Sequence, residues 1–300
     1  MRGRALITGS AGFVGGYLTT HLNELGYDVH GLDLRVNGDV RDYETVHTAV
    51  ETVEPDVIFH LAAMAYVPES TTAPYRALDV NVGGTLNVLE AVRNTGSQAR
   101  VLISGTSEEY GYDHVVVNED TPTRPTTAYG VTKLAAGLLG LTYARDYGLD
   151  VVVTRAFNHT GPGHSPRYAV PSFAKRVAEV EAGLRSVVYH GNLETVRSYT
   201  DVRDVVRAYA AAVHLPGGVY NVCSGDKTSV LPVGAVLGKL CALAKTEIPC
   251  EQSTRLTRSS GASRFPHAWP TKLHELTGWV AEIPLEKTLQ DTLDYWRERV

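Results

Sequence analysis

The chain has 300 residues, a formal charge of −5, and 43% hydrophobic and 20% charged residues. That balance suits a globular chain with one large core and a smaller appended one, and it excludes disordered, coiled-coil and disulfide-scaffold classes. No Lys/Arg run or RNA-reading aromatic motif is present and no apolar run reaches the length of a membrane span, so neither nucleic acid nor a membrane is an expected partner.

Taken in chain order, Ala5 to Thr8, Asp28 to Leu32, Val57 to Leu61, Val101 to Ser104 and Val151 to Thr154 read as buried strands. Between them Val14 to Leu25, Tyr43 to Val53, Val82 to Thr95 and Tyr129 to Tyr147 carry apolar residues at helical spacing. The alternation predicts an α/β fold, a doubly wound Rossmann-type parallel sheet whose ligands bind beyond the carboxyl ends of its strands. After residue 155 the pattern loosens into the Gly, Pro, His and Ser of Asn158 to Tyr168. Helices follow over Asp201 to His214, Val230 to Ala244 and Leu285 to Arg299, with a short strand at Gly218 to Val222 and little periodicity over Ser253 to Lys272. The expected division is a dinucleotide-binding domain over residues 1–157, rejoined by 201–222, and a smaller α/β substrate-binding domain from 158–200 and 223–300.

The N-terminus lacks the apolar h-region of a signal peptide, which points to a cytoplasmic chain. Cys223, Cys241 and Cys250 have no CxxC spacing and read as reduced thiols packed as small hydrophobes. Eleven histidines form no HExxH or other compact ligand set, so no metal is expected.

The first strand runs into Gly9-Ser10-Ala11-Gly12-Phe13-Val14-Gly15 and then directly into a helix. Glycines there allow a tight turn and close approach of the backbone to a pyrophosphate, which the helix N-terminus attracts. Asp33 stands at the end of the second strand, where a carboxylate accepts the hydroxyls of an adenosine ribose and repels a 2′-phosphate. NAD(H) is therefore favoured; Arg35, two residues on, keeps NADP(H) open. Asp39 and Val40, in the turn after it, are placed to meet the adenine.

Tyr129 and Lys133 open a helix at i, i+4 spacing, which puts phenol and ammonium on one face. A lysine cation beside a phenol lowers its pKa toward the working pH and makes the pair a proton exchanger. Thr106, 23 residues earlier at a strand end, supplies a hydroxyl for the same substrate oxygen.

With these residues in order, together with His60-Leu61-Ala62-Ala63, Asn81 and Thr106-Ser107-Glu108-Glu109-Tyr110-Gly111, the chain resembles the extended short-chain dehydrogenases/reductases, the NAD-dependent epimerase/dehydratase family. Arg155 to Gly163, Gly191 to Asp204 and Tyr220 to Gly225 resemble the GDP-4-keto-6-deoxymannose reductases and, next to them, the GDP-mannose 4,6-dehydratases. The resemblance implies that Leu61, Ala62, Ala63 and Asn81 join the cofactor site. It implies that Val67, Ser70, Ser107 and Glu108 line a sugar pocket, and that Asn158, Arg197 and Arg258 hold the diphosphate of a GDP-hexose. Two departures stand out: Ser259-Ser260-Gly261 follows Arg258 where relatives carry Pro and an acid, and Trp269 replaces a common Asp.

The reaction implied is reduction of the C4 ketone of a GDP-4-keto-6-deoxyhexose with Tyr129 as proton donor. A 4,6-dehydratase with Glu108 as base, a C4 epimerase and a non-catalytic NAD(H)-binding protein are the alternatives. A homodimer through a four-helix bundle of Val82 to Thr95 and Tyr129 to Tyr147 is implied by the same resemblance.

Overall fold

A computed structural model describes residues 2–112, 116–256 and 267–300. Six strands, β1 (Arg4–Thr8), β2 (Asp28–Leu32), β3 (Val57–His60), β4 (Arg100–Thr106), β5 (Val151–Ala156) and β6 (Gly218–Val222), form one sheet in the order β6-β5-β4-β3-β1-β2. Every neighbouring pair is parallel. The chain leaves β1 for β2 on one side and returns to β3 on the other, so the strand order reverses between β1 and β3, where doubly wound sheets open a ligand crevice.

Both faces of the sheet are covered, as the continuous apolar strands require. Alternate residues divide between the faces: Ala5, Ile7, Phe59, Leu102 and Val152 pack with Leu18, Leu22, Val205 and Tyr209. Leu6, Ile58, Ile103, Val151 and Val153 pack with Val46, Val50, Val88, Leu89 and Tyr143. The helix Ala128–Tyr147 starts at Thr127, whose side chain accepts from Gly130 N, and ends at Gly148 in the left-handed region. It lies unusually close to the sheet at Gly140, where a Cβ would come within 2.4 Å of Ile103 Cδ1. That close seat brings its first turn, with Tyr129 and Lys133, to the carboxyl end of β4.

A third cluster is built from the helices Ala169–Glu181, Val233–Ala242 and Leu285–Arg297, with Val170, Phe173, Val177, Leu237, Leu240, Leu289 and Leu293 buried between them. Short ladders flank it: Val188–His190 pairs with Cys250–Gln252, and Val196–Ser198 with Val230–Pro232. Leu273 and Trp279, from the stretch counted with the substrate lobe, pack instead on the β1 face of the large sheet.

The expected helix over Val230 to Ala244 is shorter: Val230–Pro232 is a strand, and the helix begins at Val233, because Pro232 has no N–H to continue either pattern. The helix Ala169–Glu181 was not anticipated, although Val170, Phe173, Ala174, Val177 and Ala178 recur at helical spacing. Pro171 in its first turn masks that signal without disturbing the helix, since first-turn amides need no intrahelical partner. Nor were the short helices Val67–Thr72 and Pro74–Leu78 anticipated. Arg258 and Ser259 to Gly261 lie outside the described residues. Among the described residues no helix is long and apolar enough to cross a membrane.

Candidate active site

The Gly9–Gly15 loop folds as a compact cradle at the carboxyl end of β1. Gly9 has φ +76° and donates its N–H to Leu32 O at 2.7 Å. A Cβ on Gly15 would stand 2.2 Å from Gly9 O and 2.7 Å from Ser10 O, so only glycine lets the helix Phe13–Glu24 start against the loop. Its first amides open toward a cleft of about 540 Å³ whose walls include Gly9, Gly12, Asp33, Arg35, Asp39, Val40, Leu61, Ala62 and Ala63. The size, the glycine cradle and the helix N-terminus fit the pyrophosphate and adenosine of a dinucleotide. Ala11, Phe13 and Val14 complete the loop behind that wall.

At the far end, Asp33 is buried and its carboxylate is held from two sides: Ala11 N donates to Oδ2 at 3.0 Å, and Arg35 N donates to Oδ1 at 2.9 Å. Burial alone would raise this carboxyl, but the Arg35 and Ala11 hydrogen bonds hold it below its usual range. The Arg35 guanidinium also reaches Ala11 O and remains largely exposed. The rim therefore presents a carboxylate suited to ribose hydroxyls beside a cation suited to a phosphate. Asp39 is engaged by Arg41 at 2.6 Å, and Arg41 extends to Asp79 at 3.3 Å.

Asn81 does not line the cleft wall. It is buried, its Oδ1 accepts from Met64 N at 2.7 Å and its Nδ2 donates to Thr132 Oγ1 at 2.9 Å, which fixes the segment after β3 to the helix carrying Tyr129.

Thr106, at the last position of β4, and Tyr129 come together, the Thr106 hydroxyl lying near enough to act on the Tyr129 phenol. Tyr129 as a whole is partly buried, while its hydroxyl is enclosed. Burial drives the phenol well above its usual range, with Tyr168 and Glu108 reinforcing the rise and Thr106 opposing it. The expected lowering by Lys133 is not realised, because burial outweighs any help and the Lys133 ammonium turns to Ser104 Oγ at 3.4 Å. Lys133 is itself buried and brought down to about 8 by desolvation, against the charge of Glu109.

Glu108 sits in the single turn Ser107–Tyr110, where Tyr112 OH and Thr127 Oγ1 each donate to its Oε2 at 3.1 Å. Burial raises this carboxyl while the Arg197 charge pulls it down, so Arg197 is close enough to act on it. Asn158 and Arg197 border a smaller cavity of about 80 Å³ with His159, His164, Tyr168 and Tyr199. Val67 and Ser70 lie on the helix Val67–Thr72, but the Ser70 hydroxyl donates to Val67 O at 2.8 Å within its own turn. Ser107 is buried beside Thr106.

Sequence reasoning missed Tyr168, which borders both cavities. It belongs to an aromatic column: Phe13 stacks on His164 at 4.3 Å between centroids, His164 on Tyr168 at 4.4 Å, and Tyr168 meets Tyr66 edge-on at 5.4 Å. The column joins the glycine cradle to the smaller cavity across about 150 residues of sequence, a proximity that no local pattern encodes.

Residues 5–223 match the NAD dependent epimerase/dehydratase family. The GDP-6-deoxy-D-mannose reductase of Pseudomonas aeruginosa is 31% identical, over 100% of this chain and 99% of the reductase. The structure of RMD from Pseudomonas aeruginosa complexed with NADPH superposes with a TM-score of 0.89 at 31% identity, over 99% of this chain and all of that one. The Thermus thermophilus UDP-glucose 4-epimerase complex with NAD gives a TM-score of 0.87 at 29% identity, with 99% of this chain and 100% of the epimerase covered.

Proposed function

Because the chain belongs to the NAD dependent epimerase/dehydratase family, we propose that this NAD(P)-dependent enzyme reduces the C4 ketone of a GDP-4-keto-6-deoxyhexose. The observation that carries the reading is the convergence of Thr106 and Glu108 on the Tyr129 phenol, with Arg197 acting on Glu108, in a fold that also carries a dinucleotide-sized cleft.

Gly9, Gly12, Gly15 and the amides of the helix Phe13–Glu24 hold the pyrophosphate, Asp33 and Arg35 the adenosine ribose, and Asp39 and Val40 the adenine. Reduced nicotinamide supplies the hydride when bound. Thr106 Oγ1 orients the ketone oxygen and Tyr129 OH delivers a proton to it. A phenol held high by burial suits this direction, since it arrives protonated and is a donor rather than a base. Lys133, four positions on in the same helix, supplies a cation for the phenolate left behind and anchors the nicotinamide ribose. Arg197 and Asn158 hold the diphosphate, Arg197 through the bidentate fork that guanidinium offers phosphate.

Mixing the protein with GDP-4-keto-6-deoxymannose and NADPH or NADH, and following absorbance and product NMR, tests this. Stoichiometric loss of reductant with a new C4 alcohol is expected; turnover that needs no added reductant would refute it. A 4,6-dehydratase is the second reading, favoured by the buried, raised carboxyl of Glu108 beside Tyr129. It requires GDP-mannose to lose water without added cofactor.

The two-lobed division, 1–157 with 201–222 against 158–200 with 223–300, goes with this reading, as does a cytoplasmic location. A homodimer goes with it too, through the helices Gly84–Thr95 and Ala128–Tyr147. Leu86, Val131 and Leu138 on those helices are exposed apolar side chains that a four-helix bundle would cover. Light scattering at micromolar concentration distinguishes a dimer from a monomer.

A further inference from the structure

Cys223 is buried against Ala268 O, as a small hydrophobe should be. The other two cysteines are placed differently. Cys241 lies in the last turn of the helix Val233–Ala242 and is half-buried; Cys250 opens the strand Cys250–Gln252 and is exposed. Their sulfurs stand 3.8 Å apart, although nine positions separate them in sequence. A disulfide needs the sulfurs at about 2.05 Å, a closure within reach of side-chain rotation. Two thiols in mutual contact, one of them open to solvent, are the arrangement that thiol–disulfide exchange uses, with the accessible sulfur attacking first and its neighbour resolving.

We propose that Cys241 and Cys250 form a reversible disulfide site that staples the end of the helix Val233–Ala242 to the edge strand of the smaller lobe. The oxidant is a low-molecular-weight disulfide. The Cys250 thiolate attacks one of its sulfurs and expels one thiol, leaving a mixed disulfide on Cys250. The Cys241 sulfur, giving its proton to solvent, then displaces the second thiol as the Cys241–Cys250 bond forms. Two protein thiols lose two electrons and two protons, and one small disulfide becomes two small thiols. The closed loop is short and, among the described residues, the strand Cys250–Gln252 pairs only with Val188–His190, so the bond adds a restraint to a segment held by that three-residue ladder.

The test uses the full chain incubated with oxidised glutathione, alkylated without reduction, and analysed by intact and peptide mass spectrometry and thermal melting. The expected result is loss of the mass of two hydrogens, a cross-linked peptide joining Cys241 to Cys250, and a rise in Tm of roughly 3–6 °C that dithiothreitol reverses. Cys241→Ser should instead trap a stable glutathione adduct on Cys250, and Cys250→Ser should take up none. A stable glutathione adduct on Cys250 in the unmodified sequence, or alkylation of both thiols after oxidant, would overturn the proposal. None of these readouts depends on the sugar substrate.

Discussion

Arg155 Nε donates to Glu109 Oε2 at 2.7 Å, and the other Glu109 oxygen accepts the Thr106 amide at 2.8 Å. Both side chains are almost wholly buried, and the guanidinium also meets Tyr110 OH at 3.2 Å, whose hydroxyl donates to Asn221 Oδ1 at 2.8 Å. The ion pair ties the ends of β4, β5 and β6 together and sets the backbone at the residue that presents its hydroxyl to Tyr129.

Breaking one side of a buried pair leaves an uncompensated charge, which costs roughly 3–5 kcal/mol. Arg155→Met should therefore destabilise the protein by about that amount in urea denaturation, and Glu109→Gln/Arg155→Met should recover much of the loss. A single variant as stable as the parent would show that the pair is not holding the strand ends.

Tyr129→Phe removes the proton donor but keeps the ring. Turnover should fall by roughly 10²–10⁴-fold, while NADPH binding measured by fluorescence changes little. Undiminished turnover would remove Tyr129 from the proton path.

Lys133 titrates near 8 in the folded chain, below the ordinary lysine value. Below that pH the ammonium is charged; above it the charge is lost, so reduction and cofactor binding should decline on the alkaline side with a midpoint close to 8. Between there and the ordinary value of about 10.4 the unfolded chain binds the extra proton, so this group adds stability as pH rises. Lys133→Met should flatten the alkaline limb.

Gly15→Ala places a methyl 2.2 Å from one backbone carbonyl oxygen and 2.7 Å from another, neither of which can step aside without opening the cradle. Dinucleotide affinity should drop by about tenfold or more, equivalent to about 1.4 kcal/mol. An unchanged Kd by titration calorimetry would dissociate the loop from the cofactor.

His60 is buried between Thr8 Oγ1 at 2.7 Å and Thr85 Oγ1 at 2.9 Å, and burial takes it down to about 3. Its folded value is depressed, so the unfolded chain takes up a proton first as pH falls through about 6.5 and stability is lost from there toward 3. Urea midpoints between pH 7 and 5 should decrease, and less steeply in His60→Gln.

Much of the fold is legible without coordinates because its signals are local. The apolar runs of β1 to β5 lie within a residue or two of their observed limits, and Gly9, Gly12 and Gly15, at one strand-to-helix junction, and Tyr129 and Lys133, in one helix turn, declare themselves by spacing. The short helices Val67–Thr72 and Pro74–Leu78 are harder, since five or six residues give too little periodicity to distinguish from a loop. The helix Ala169–Glu181 carried enough pattern but was obscured by Pro171 in its first turn.

By itself the sequence determined the parallel sheet, the glycine loop between the first strand and its helix with Asp33 at the end of the second strand, and the placement of Tyr129 and Lys133 on one helix turn, because each depends on residues near one another in the chain. Only the tertiary structure decided that burial rather than Lys133 sets the Tyr129 phenol, that Glu109 and Arg155 carry the strand end beneath Thr106, that Tyr168 borders both cavities, and that Cys241 meets Cys250. Desolvation is a property of everything packed around a group, and strand register brings together residues that no periodicity relates, so those relationships exist only once the chain has folded.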